Sequence, residues 1–162
     1  MKWIYGKQDF KTLSRGQENC YLLTNGLGGF SSLTMTGSVT RNDHALLMAC
    51  TKAPNHRYNL IHRLKEEIWI GEEKQILSTQ EFADGTKEEG YQHLSAFSFE
   101  DTPVWRWETK GVRIRKEIGM TQLENTVAVV YEIKNQSLFD AELVVTPFLQ
   151  FVRKGEDLTE EQ

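Results

Sequence analysis

The sequence is sparing in cysteine and proline. Two cysteines, Cys20 and Cys50, in 162 residues are too few for a disulfide framework, and a chain of this length buries a core without one. No Cys/His group has the spacing of a zinc site, so no metal is expected. No apolar run approaches the ~20 residues that a bilayer span requires. Met1-Lys2-Trp3-Ile4-Tyr5-Gly6 lacks the apolar stretch of a signal peptide. The expectation is an intracellular, cytoplasmic protein with no membrane partner, in which the sequon Asn135-Gln136-Ser137 is only a turn. An excess of positive charge is also missing. The net charge is −4 with both signs interspersed, and such a surface does not favour phosphate backbones, which argues against nucleic acid. Finally, no segment sustains an apolar helical period over three turns, and no internal repeat or long linker is visible.

What the chain does contain is alternation. From Thr126 to Lys134, Val127, Val129, Tyr131 and Ile133 share one face and polar residues dominate the other, the pattern of a half-buried antiparallel strand. Val112, Ile114 and Ile118 point one way, Arg113, Arg115 and Glu117 the other. With Val104–Glu108 upstream and Lys110-Gly111 between, these segments predict a hairpin in which Gly111 takes positive φ. Glu67–Ile70 and Gln75–Ser78 flank a second turn at Gly71–Lys74. Cys20–Thr24 and His44–Cys50 are short apolar runs, either buried strands or helix pieces, and their shortness favours strands. Ala141–Thr146 reads as a further strand, with Pro147 at its edge or exit. About ten short strands with frequent turns predict an all-β fold, an antiparallel β-sandwich or a barrel.

Four segments could carry chemistry. Asn25-Gly26-Leu27-Gly28-Gly29-Phe30 is glycine-rich, but Ser31 replaces the third glycine of a dinucleotide fingerprint and no helix follows; there is no phosphate loop either, so no nucleotide cofactor is expected. The segment is either a tight connection whose glycines allow positive φ or close packing, or a loop leaving room for a ligand or neighbouring domain. Thr40-Arg41-Asn42-Asp43-His44 gathers a guanidinium, an amide, a carboxylate and an imidazole, groups that hydrogen-bond sugar hydroxyls. Equally, Arg41 and Asp43 could pair locally and His44 be satisfied at an edge. Trp69, Trp105, Trp107 and Tyr91 could stack on sugars or fill the core. Glu66-Glu67, Glu72-Glu73 and Glu88-Glu89 read as solvated charges. Nothing in their spacing selects the facing carboxylate pair of a glycosidase, and no nucleophile stands out.

Leu23–Phe30, then Gly37, Thr40-Arg41 and His44-Ala45-Leu46-Leu47, resemble the start of bacterial and archaeal-type glycogen debranching enzymes of the amylo-α-1,6-glucosidase type. Arg63-Leu64 with Glu67, Gly90-Tyr91 through Phe97, Pro103-Val104-Trp105, Lys116-Glu117-Ile118, Glu124-Asn125-Thr126 and Tyr131 through Pro147 continue the same order. The resemblance implies an N-terminal β-sandwich of the supersandwich, galactose-mutarotase-like type over residues 1–153. Residues 154–162 would then be a polar tail or the start of a linker to an (α/α)6 catalytic domain on the same polypeptide. The hydrolytic carboxylates belong to that second domain, so the present chain is expected to carry no catalytic residue. Its roles would be to pack on the catalytic domain and lend substrate-contacting loops, with Asn25, Arg41 and His44 as the candidates and α-glucan as the ligand. A stand-alone α-glucan-binding module or an interaction domain is the alternative. Asn42 and Asp43 depart from the Arg-Tyr of the pattern, Ala45 from its Gly, and Leu33 from a small residue, so the middle of the Arg41–His44 loop has diverged.

Overall fold

The computed structural model describes residues 1–156. The described residues form thirteen strands: β1 (Trp3–Gly6), β2 (Leu23–Thr24), β3 (Phe30–Ser32), β4 (Ala45–Lys52), β5 (His56–Ile70), β6 (Glu73–Ile76), β7 (Thr79–Glu81), β8 (Lys87–Glu89), β9 (Leu94–Phe99), β10 (Pro103–Thr109), β11 (Val112–Met120), β12 (Val127–Asn135) and β13 (Ala141–Arg153). Among the described residues, helix is confined to single turns, one of them α1 (Leu13–Gly16).

The strands form two antiparallel sheets and a ribbon. One sheet has the order β1-β9-β10-β11-β12; the other runs β13-β5-β4-β3-β2, with β6 also paired to β5; β7 and β8 pair with each other. The expected all-β sandwich is observed. Its core lies between the sheets, where Trp105, Ile114 and Ile118 of the first meet Leu46, Ile68 and Ile70 of the second. Trp105 is at its centre. The indole packs edge-on against Tyr21 at 5.4 Å and beside Phe97 at 5.1 Å, and its N–H donates to the Met35 carbonyl at 3.0 Å. Trp107 and Tyr91 are buried as well. The sugar-stacking role weighed for Trp105, Trp107 and Tyr91 is therefore closed to them, because the core needs their apolar area. Trp69 alone of the four is exposed.

The hairpin of β10 and β11 forms as its sequence predicts. Thr109 pairs with Val112, and Lys110 and Gly111 both take positive φ, the two-residue turn whose twist suits a hairpin. The β5–β6 turn is tighter than expected. Ile70 pairs directly with Glu73, so only Gly71 and Glu72 turn, and β6 ends at Ile76. The N–H groups of Leu77 and Ser78 then both donate to the Glu66 carbonyl, which turns the chain out of the ladder toward β7. Of Cys20–Thr24, only Leu23 and Thr24 form a strand; Cys20 makes a lone bridge to Thr34. Pro147 does not end its strand. β13 continues to Arg153, with Pro147 opposite Leu64, and an edge strand tolerates a residue without an N–H.

β5, fifteen residues long, was the hardest to see in sequence, because its buried positions include polar groups. Asn59, Arg63 and Glu66 are all buried, which erases the apolar alternation of an ordinary half-buried strand. Glu66 and Glu88 are not solvated charges. The Lys116 ammonium, on the core face of β11 between Ile114 and Ile118, reaches Glu66 at 3.0 Å and lies 4.9 Å over the Trp105 ring. The other Glu66 oxygen accepts from the Tyr131 hydroxyl at 2.8 Å. Burial, and then the negative charge of Glu66, push the Tyr131 phenol far above its ordinary pKa. On the outer face of β5, the Arg63 guanidinium grips both oxygens of Glu88, at 3.0 and 2.8 Å, and so clamps the β7–β8 ribbon onto the sheet. The Phe148 and Phe82 rings cover that guanidinium at 4.9 and 5.6 Å.

Candidate functional site

The three residues singled out in the sequence occupy different settings. Asn25 is fully buried and its amide is saturated. Its Oδ1 accepts from the N–H groups of Leu27 and Gly29, at 2.9 and 3.0 Å; its Nδ2 donates to the Glu124 carbonyl and to Asn125 Oδ1, at 2.9 and 3.1 Å. Asn125 in turn bonds both the N–H and the carbonyl of Cys50 on β4, as a neighbouring strand would. The glycine-rich segment is thus a clasp that ties the β11–β12 connection of one sheet to β4 of the other. Glycine is required there for two reasons. Gly26 and Gly28 take positive φ. A side chain on Gly29 would meet Asn25 Nδ2 at 2.6 Å and the Met48 carbonyl at 3.0 Å. Of its two readings, the tight connection describes the segment.

His44 is buried and acts as a local cap. Its Nδ1 lies 3.0 Å from the Thr40 N–H, and its backbone N–H donates to the Arg41 carbonyl at 3.0 Å, so imidazole and backbone together close the Thr40–His44 turn. Because Nδ1 accepts, the proton resides on Nε2, which lies 3.4 Å from Cys20 Sγ. Burial lowers the His44 pKa, with Asp43 drawing it partly back and Arg41 lowering it further. Burial raises the Cys20 thiol pKa, so Cys20 has the character of a protonated thiol rather than a nucleophile.

Arg41 is different. With Asn42 and Asp43 it stands exposed at the tip of this turn, and it lines a cleft of about 650 Å³. The Val39–Asn42 segment forms one wall of that cleft. The β7–β8 ribbon contributes Glu81 and Ala83, and the paired strands β5 and β13 contribute His62 and Gln150. Gln80 binds the ribbon to the turn by a pair of hydrogen bonds with the N–H and carbonyl of Val39, both 2.9 Å. Next to the cleft along the chain, Phe148, Leu149 and Phe151 are exposed by 41%, 55% and 63%, an unusual density of apolar surface for one edge strand.

The structure therefore brings Arg41 together with His62, Glu81 and Gln150, none of which sequence reasoning selected. His44 supports this site from beneath, while Asn25 belongs to a separate clasp. No short-range motif marks His62 or Gln150. The one available signal was the polar interruption of a β-rich stretch, and its meaning depends on pairing. Among the described residues, no group of three or more His, Cys, Asp or Glu is placed to hold a metal ion, and no helix is long and apolar enough to cross a membrane.

Comparison with protein families matches the chain to the family described as glycogen debranching enzyme N terminal, over residues 19–162. Comparisons with curated proteins and with solved structures give no match.

Proposed function

The chain belongs to the glycogen debranching enzyme N-terminal family, and from this premise we propose that it is the non-catalytic β-sandwich domain of a cytoplasmic α-1,6-glucosidase acting on glycogen or related oligosaccharides. In this reading it packs on a catalytic domain of the same polypeptide and lends it the Arg41 turn. The observation that carries the proposal is the juxtaposition at the end of β13. There a polar cleft containing Arg41 adjoins the exposed apolar side chains of Phe148, Leu149 and Phe151, the mixed surface expected where one domain meets another beside a ligand. Asn25 and His44 contribute indirectly, by fixing the clasp and the turn.

The test has two arms. The purified 162-residue chain is incubated with branched glucan and released glucose is measured; no turnover is expected, and measurable turnover overturns the proposal. The chain is then mixed with the separately produced catalytic domain and examined by sedimentation. Association is expected, and it should weaken on Phe151→Ser. A stand-alone glucan-binding role is the second reading, favoured by the cleft itself. Glucan binding without association with the catalytic domain would select it.

A further inference from the structure

β5 and β13 lose register twice, at one place. Arg63 pairs with Phe148 and Ile61 with Leu149, so His62 is an extra residue on β5; Leu149 pairs with Ile61 and Val152 with Asn59, so Gln150 and Phe151 stand against Leu60 alone. Phe151 sits at φ 58°, a conformation a bulky residue adopts only when its surroundings impose it. Bulges re-aim side chains, and both extra segments place a polar residue, His62 and Gln150, on the wall of the Arg41 cleft.

The chemistry these residues present can be specified. Asn59 Nδ2 lies 3.4 Å from the His44 carbonyl, which fixes the nitrogen end of the amide, and 3.2 Å from His62 Nδ1. A donor facing Nδ1 makes that nitrogen an acceptor, so His62 carries its proton on Nε2 and offers an N–H. Asn59 Oδ1 is buried without a partner, a cost retained beside the cleft rather than relieved. Burial lowers the His62 pKa, and Arg63 and His44 lower it further, keeping the ring neutral. Arg41 shares the cleft lining with Glu81 and Glu156, a balance of charge that does not favour an anion. Neutral donors, amides, one guanidinium and carboxylates suit a polyol whose hydroxyls both donate and accept.

Resting on the family reading above, we propose that this cleft is a subsite for a neutral α-glucan segment, with His62 and Gln150 contacting sugar hydroxyls alongside Arg41. The test is a titration of the isotope-labelled 162-residue chain with maltohexaose, followed by NMR. Perturbed resonances are expected at Thr40–Asn42, His62, Glu81 and Gln150. The His62 ring nitrogens should report an N–H at Nε2 and a bare Nδ1 before ligand is added. Gln150→Ala and Arg41→Ala should each weaken binding about tenfold, the loss of one good hydrogen bond, with melting temperature unchanged. Arg113→Ala, on the other sheet, should bind normally. Absence of perturbation at millimolar maltohexaose overturns the subsite, as do perturbations confined to other surfaces; both results leave association with a catalytic domain standing. Turnover by the chain alone would overturn the domain reading while leaving the subsite in place.

Discussion

Replacing Asn25 with alanine removes one side chain and breaks four hydrogen bonds. Two of these hold the backbone N–H groups of Leu27 and Gly29 inside the clasp, and two secure the 124–125 segment of the opposite sheet. A buried polar group left unpaired costs about 1–3 kcal/mol. The Gly29 N–H is the fully buried one, and a value near ~2 kcal/mol suits it; the other three groups reach water more readily and together add about 1–2 kcal/mol. The expected loss is therefore about 3–4 kcal/mol, a large part of the ~5–15 kcal/mol that a domain commonly has. Urea unfolding followed by the fluorescence of the buried Trp105 and Trp107 measures it directly. With a slope of roughly 2 kcal/mol per molar urea, the midpoint should fall by about 1.5–2 M. Asn125→Ala should be non-additive with Asn25→Ala, because the two residues share a bond. A loss below about 1 kcal/mol would refute the reasoning. The loop would then owe its order to something other than this amide, and Asn25 would be free for a contact outside the fold.

Two other substitutions probe the buried polar groups. Lys116→Met leaves Glu66 buried with only the Tyr131 hydroxyl and should cost about 3–5 kcal/mol, whereas the double change Lys116→Met with Glu66→Leu should recover most of that loss; equal losses in the single and double variants, in the same urea assay, would contradict the pairing. His44, His62 and His93 all have folded-state pKa values below the ordinary 6.5, chiefly through burial. The unfolded chain thus binds protons first, so their stabilising contribution is complete above about pH 6.5 and is lost as pH falls below it. His44→Asn, which keeps an acceptor for the Thr40 N–H, should flatten the dependence of melting temperature on pH in that window, and an unchanged slope would count against the buried neutral imidazole.

The strands with ordinary alternation were legible in sequence. β10, β11 and β12 each place apolar residues on one face, and the period alone assigns them. Even there the sequence concealed Lys116, which occupies a core-facing position that its charge disguises. Only the Glu67–Ile70 end of the long β5 was legible; the rest of it and the ribbon were hidden for the same reason on a larger scale. Their buried side chains are polar, and only a partner from a distant segment makes such burial affordable: Glu66 from Lys116, Arg63 from Glu88.

By itself, then, the sequence determined the all-β class, the turn at Lys110-Gly111 and the family, because local periodicity, glycine placement and ordered motifs are properties of the chain read in one dimension. Tertiary structure alone decided which candidate residue faces a cleft. Asn25, Arg41 and His44 were equivalent as polar residues in glycine-rich or charged loops. Their fates differ because hydrogen-bond saturation depends on what lies across the sandwich: Glu124 and Asn125 enclose Asn25, the Thr40 turn folds over His44, and Arg41 is left at the rim. His62 and Gln150 join it only because two strands slip register against each other, a property of pairing that no single strand encodes.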